Sequence, residues 1–177
     1  MSNEDNFFNG YKCFNKGLTN RYGIKYEVGK EYHCDKEIKF GNNGHGFHVC
    51  KRLEDTLKFF DKDIDIAYVK CYGTYDKIKE NKENDYNDNY DMYAFEYMVI
   101  EKILTREDII LYALNLNEER IKKFLMYFKL TSAEKNIFKE KFKNCQYMLN
   151  FIAYYQEDDK EAFTHHEKRL LKKKTLW

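Results

Sequence analysis

The chain has 177 residues, enough for one domain or for one domain with a helical appendage. Lys and Arg (31) nearly balance Asp and Glu (30), which argues against a globally basic nucleic-acid binder. No apolar run reaches the length of a membrane span, and the polar, acidic start Met1 to Asn6 carries neither the basic nor the apolar region of a secretory signal. A soluble cytoplasmic protein with no membrane partner is therefore expected.

Hydrophobic residues make up 43% of the chain and aromatic residues 18%, so a core is available. With 16 Tyr and 14 Phe it is an aromatic core, in which each buried phenol needs a hydrogen-bond partner. Pro is absent, while Lys, Asn, Ile, Tyr and Phe are abundant. Their codons are A/T-rich, which points to a low-GC bacterium or one of its phages. The five cysteines (Cys13, Cys34, Cys50, Cys71, Cys145) are odd in number and lack CxxC spacing, so they read as free thiols in a reducing compartment.

The first half reads as strands. Tyr11–Phe14 is short and apolar, and residues 15–23 form a polar loop. Ile24–Val28 alternates at period two, as a half-buried strand does. Glu31–Cys34 and Ile38–Phe40 are further short strands, each bounded by a glycine turn. Phe47–Cys50 follows the Gly44-His45-Gly46 turn, with Phe47 and Val49 on one face and His48 and Cys50 on the other. Leu53, Leu57 and Phe60 then give one helical stripe. Ile64–Tyr72 is apolar on both faces in its middle and is expected to be a central strand. Residues 74–92 are rich in Asp, Asn, Lys, Glu and Tyr and read as an exposed loop. Strand character resumes over Tyr93–Leu104.

The second half switches to helical period. Thr105 precedes one helix and Asn117 another; Ser132 or Thr131 caps a third. That third helix is expected to run through Ile152, with Phe138, Phe142, Cys145, Leu149 and Ile152 as one stripe and Ile137, Met148, Phe151 and Tyr155 as a second. A last helix begins at Glu157. Residues 117–177 hold 14 Lys/Arg against 9 Asp/Glu, whereas residues 1–116 are net acidic. The expected class is α+β: a small mixed or antiparallel sheet with one helix over residues 1–104, then a helical bundle over residues 105–177.

Three segments carry a family resemblance: Tyr11-Lys12-x-Phe14, Tyr26-x-Val28-Gly29-Lys30-x-Tyr32 and Gly46-Phe47-His48-x-Cys50. Together they resemble a small domain family of unknown function found largely in bacteriophages and prophages, over about residues 11–73. The turn–strand–helix–strand order around Phe47 is also similar to the second motif of mono-ADP-ribosyltransferases. That resemblance implies an NAD pocket and a catalytic carboxylate on a late strand, at Glu96 or Glu101. The first strand, Tyr11-Lys12-Cys13-Phe14, lacks the Arg or His that family uses, so no cofactor is expected.

The histidines and cysteine of H-x-x-H-x-C (His45, His48, Cys50) are zinc-ligand types, but no second close pair accompanies them. They read as a packed Cys50 and a histidine bonded to nearby backbone, with no metal site and no catalytic assignment. Binding is placed elsewhere. Asp85, Tyr86, Asp88, Tyr90, Asp91 and Tyr93 form an acidic, aromatic stretch suited to a basic groove. Lys168, Arg169, Lys172 and Lys173 form a basic stretch suited to phosphates. The expected function is that of a phage- or prophage-derived binding protein that occupies a host protein or ribonucleoprotein surface, as an anti-CRISPR-type inhibitor does. An NAD-using transferase and an RNA-binding module acting through the basic C-terminal helices are the alternatives.

Overall fold

The computed structural model describes residues 7–41, 44–59, 64–77 and 91–156. The chain divides into two compact units, Met1–Thr105 and Arg106–Trp177. The architecture is α+β, with an antiparallel sheet in the first unit and helices in the second.

The sheet has five strands: β1 (Phe8–Asn15), β2 (Glu31–His33), β3 (Phe47–Cys50), β4 (Ile64–Lys77) and β5 (Met92–Ile103). The long strand β4 lies between β1 and β5, as its two apolar faces require. The other edge of β5 takes β3 at Met92–Phe95 and β2 at Tyr97–Val99. Strand β3 then meets β1 at one pair, Tyr11 opposite Cys50, so β1, β4, β5 and β3 close into a ring. Closure leaves β2, which pairs only with β5, as the strand outside the ring; free edges otherwise invite pairing with other chains. Phe14, Val49, Ala67, Val69, Cys71, Phe95, Met98 and Ile100 fill the interior, with Leu18 and Tyr26 from the loop after β1.

The seam between β1 and β3 is narrow. At Gly10, a Cβ would stand 2.6 Å from the Cys50 carbonyl oxygen, so only glycine lets the two backbones approach this closely. On the other side of the pair the strands diverge, and Lys12 Nζ donates to the His48 carbonyl at 2.7 Å. The Lys12 stem passes the Phe14 ring, whose centroid lies 5.6 Å from Nζ. Burial pushes the Lys12 amine below the ordinary lysine range, and the thiols of Cys50, Cys71 and Cys13 offset this only in part.

A second clasp holds the end of β1. The backbone N–H groups of Gly17 and Leu18 donate to Asp65 Oδ2 at 2.7 and 3.1 Å, and Lys16 Nζ donates to Oδ1 at 2.7 Å. Burial alone would raise the Asp65 carboxyl, but Lys16, Leu18 and Gly17 outweigh it and hold the group below its ordinary value. Leu18 sits in the left-handed region (φ 53) so that its side chain enters the core. Helix α1 (Leu53–Thr56) and the 3-10 turn Leu57–Phe59 that continues it lie against β1. There the Cys13 thiol donates to Thr56 Oγ1 at 3.1 Å, and Thr56 donates in turn to the Leu53 carbonyl at 2.6 Å.

Several expectations need correction. Ile24–Val28 is not a strand: the Asn20 N–H donates to the Ile24 carbonyl and the Asn20 side-chain oxygen accepts the Ile24 N–H, so the chain turns there. Its outer apolar residues Ile24 and Val28 are exposed, and Tyr26 alone of the three is buried. Ile38–Phe40 is not a strand either, because the Phe40 N–H goes to the Asp76 carboxylate at 2.8 Å. Both ends of the loop expected over residues 74–92 are strand instead, since Thr74–Lys77 belong to β4 and Met92 to β5, and residues 78–90 lie outside the described residues. Phe60 lies outside the described residues.

The second unit contains α2 (Arg106–Leu114), α3 (Glu118–Tyr127), α4 (Ser132–Lys141) and α5 (Gln146–Tyr155) among the described residues. Asn117 caps α3 through its side chain, and Thr131 with Glu134 forms a full capping box at α4. Glu134 also receives Arg106 in a two-point pair (2.7 and 2.8 Å), while Arg106 donates to the Lys129 carbonyl at 2.7 Å. The single long helix expected through Ile152 is two helices. Phe142 leaves helical geometry (φ −108, ψ 20), and Phe142–Cys145 form the turn between α4 and α5. Of the two stripes, Phe138, Met148 and Ile152 are buried and Ile137 is exposed. The buried Gln156 side chain spans Leu125 and Phe128 carbonyls and the Leu130 N–H, at 2.6, 2.9 and 2.8 Å. The helix expected from Glu157 lies outside the described residues.

The seam makes a quantitative prediction. Gly10→Ala must push the new methyl into the Cys50 carbonyl, and is expected to lower the stability of the first unit by about 1–3 kcal/mol in urea denaturation. A wild-type midpoint would show that β1 and β3 do not approach this closely.

Candidate functional site

Two cross-strand rows cross the outer face of the sheet, away from α1. Because β2, β5 and β4 are in register, His33, Tyr97 and Tyr72 stand opposite one another, and so do Glu31, Val99 and Lys70. Phe7, just before β1, extends the first row. Its ring meets Tyr72 edge-on at 5.6 Å. Tyr72 and Tyr97 stack at 5.0 Å and 4°, and Tyr97 and His33 at 4.5 Å and 14°. The result is a ladder of four rings on three strands and their flank.

A bulge sets the ladder's geometry. Pairing between β4 and β5 shifts register between Tyr72 and Tyr75, at Gly73. Gly73 has φ +80, and a Cβ there would lie 2.7 Å from the Tyr97 ring. The displaced Thr74 N–H donates to Glu96 Oε2 at 2.9 Å. Thr74, through its N–H and hydroxyl, and then His33, hold the Glu96 carboxyl below the usual carboxylate range. His33 lies between two carboxylates, with Nδ1 2.8 Å from Asp35 and Nε2 3.3 Å from Glu96.

The second row forms a shallow pocket of about 350 Å³ lined by Phe7, Glu31, Lys70, Tyr72 and Val99. The Tyr72 hydroxyl donates to the Glu31 carboxylate. Lys70 Nζ stands 3.3 Å from the centroid of the Phe7 ring, a close cation–π contact.

This arrangement limits the chemistry. Both nitrogens of His33 face carboxylates, Asp35 and Glu96. Glu96, which the transferase resemblance makes a catalytic carboxylate, instead holds the bulge; Glu101 is exposed on β5. Ring faces within the ladder are filled by one another, which leaves edges and hydroxyls outward rather than an open platform for bases.

The GHGFHVC segment is a packing element. Phe47 packs against the interior and Val49 lies within it, while Cys50 and Met92 form a separate buried cluster under Phe40. His48 meets Phe40 edge-on at 4.9 Å, and its Nε2 accepts from the Gly41 N–H at 3.4 Å. Burial, then the Lys12 charge, pushes its pKa down to about 4. Burial likewise pushes the Cys13 and Cys71 thiols up to about 12, and raises Cys50 with a contribution from Asp55. Such thiols are poor nucleophiles. Among the described residues no three His, Cys, Asp or Glu side chains converge on a metal position.

Of the residues proposed from sequence, Tyr93 lies within β5, half-buried, with its ring 4.6 Å from Phe8 and 5.9 Å from Phe95. Asp91 pairs with Lys77 at 3.2 Å. Asp85, Tyr86, Asp88, Tyr90, Lys168, Arg169, Lys172 and Lys173 lie outside the described residues. The ladder itself went unread. The outward direction of Lys70 and Tyr72 follows from β4 alternation, but the pairing that sets β2 beside them joins residues more than sixty positions apart.

Residues 8–86 match a family described as a domain of unknown function, DUF7666. The matched stretch runs from β1 past the end of β4, and so includes Glu31, His33, Lys70 and Tyr72 but not Tyr97 or Val99. No curated protein and no solved structure matches the chain.

His48 yields a pH prediction. Its value falls from 6.5 in the free state to about 4 in the fold, so the unfolded chain takes up the proton first. The stability from neutral His48 is complete above about pH 6.5, declines as pH falls towards 4, and is lost below that. Urea midpoints measured from pH 7 to pH 4 should fall by the equivalent of about 2 kcal/mol in wild type, and by clearly less in His48→Gln.

Proposed function

We propose that this chain is a binding protein without chemistry of its own, and that it acts by occupying a surface on a host protein or ribonucleoprotein. The ring ladder is the contact surface in this reading. It is the one observation that carries it: four aromatic rings fixed by stacking on paired strands, with Glu31 and Asp35 exposed beside them. Rigid tyrosines lose little freedom on docking, and their hydroxyls bond at the rim of an interface. Filled ring faces favour a protein contact over stacked bases. The acidic stretch from Asp85 to Asp91 precedes β5 in the sequence and would add charge for a basic partner.

The narrower reading, a phage- or prophage-encoded inhibitor of a bacterial defence system such as CRISPR–Cas, is supported by the phage-family resemblance and the abundance of residues with A/T-rich codons. It predicts that a tagged full-length chain captures a specific host complex from a low-GC bacterium, with or without nuclease. Tyr72→Ala and Tyr97→Ala are each expected to reduce recovery about tenfold, while His48→Gln leaves it unchanged. Capture that survives both tyrosine changes, or no specific partner, would overturn the proposal.

A further inference from the structure

The pocket beside the ladder has two walls of opposite charge that do not neutralise each other. Glu31 and Lys70 both stand opposite Val99, on the strands either side of it. Two strand spacings place their backbones about 9–10 Å apart. No ion pair joins them among the described residues. The carboxylate of Glu31 accepts the Tyr72 hydroxyl, and the ammonium of Lys70 rests on the Phe7 ring. Between them lies the apolar floor of Val99, walled by two aromatic rings.

We propose that this pocket binds a free α-amino acid with an apolar or aromatic side chain. The ligand carboxylate pairs with Lys70 and its ammonium with the Glu31 carboxylate. Its side chain lies on Val99 against the Phe7 and Tyr72 rings. Each protein charge thereby gains a counter-ion, which Glu31, held by Tyr72, and Lys70, resting on Phe7, do not supply to each other. Both protein groups are pre-positioned, Glu31 by Tyr72 and Lys70 by Phe7, which reduces the ordering lost on binding. A volume of about 350 Å³ lies in the range of small-molecule sites. Opposed walls also select against single-sign ligands. Inorganic phosphate meets Lys70 but is repelled by Glu31, and a simple cation meets Glu31 but is repelled by Lys70. The pocket shares Phe7, Tyr72 and Glu31 with the contact surface proposed above, but its ligand is a small molecule and its test needs no protein partner.

The test is an amide-resonance titration of the full chain with L-phenylalanine, L-phenylalaninamide, N-acetyl-L-phenylalanine and inorganic phosphate. L-Phenylalanine is expected to give saturable shifts at Lys70, Tyr72 and Val99. The amide, which lacks the carboxylate, and the acetyl derivative, which lacks the ammonium, are each expected to bind about tenfold more weakly, as is phosphate. Lys70→Gln and Glu31→Gln change half-buried or exposed side chains and should leave the fold intact by circular dichroism. Each is expected to weaken L-phenylalanine about tenfold, and Lys70→Gln to abolish the difference between the free acid and its amide. No saturable shift with L-phenylalanine, equal binding of the three phenylalanine forms, or affinity unchanged in both variants would overturn the proposal.

Discussion

The first unit depends on how closely β1 can approach β3. One residue pair, Tyr11 with Cys50, carries the whole junction. Gly10 lets the backbones touch on one side, and Lys12 reaches the His48 carbonyl where they part on the other. A glycine and a lysine thus do what a longer ladder would otherwise do. Closure encloses Phe14, Val69, Cys71, Met98 and Ile100. It also commits the histidine and thiol of GHGFHVC to packing, because β3 is held on both edges and its outer side lies under Phe40.

Closure divides the outer face in two. Near Cys13 the face is covered by α1, through the hydrogen bonds of Thr56. Near Tyr72 no described element of the first unit covers it, and the side chains there are ordered by one another: rings by stacking, Lys70 by Phe7, His33 by two carboxylates. The Gly73 bulge links these groups to the backbone, since the amide it displaces is the one Glu96 receives. Order without burial is what a binding surface needs, because little freedom remains to be lost when a partner arrives.

Much of this fold was legible in the sequence, for local reasons. Alternation marked β3, β4 and β5, and the apolar middle of β4 marked it as central. Asn117 and Thr131 announced their helices by side-chain capping, which acts within one turn. Readings failed where a distant or competing bond decided the outcome. Ile24–Val28 alternates like a strand, yet Asn20 claims the backbone of Ile24. Phe40 is held by Asp76, thirty-six residues away. No Pro or Gly marks the break at Phe142, so α4 and α5 read as one helix. The site was legible only in halves. Alternation alone puts Lys70 and Tyr72 on one face of β4, but Glu31 and His33 join them only through β5. The residues with the most reactive-looking spacing, His45, His48 and Cys50, drew notice to a segment whose chemistry burial has quieted.

The central claim is that function resides on the outer face of β2, β5 and β4 rather than at the GHGFHVC segment. Hydrogen–deuterium exchange of the full chain, alone and with its captured partner, tests this most directly. The account predicts slowed exchange on binding in residues 31–35, 70–75 and 96–99, with residues 44–50 unchanged. Protection confined to residues 44–50, or absent from all three outer-face segments, would contradict it.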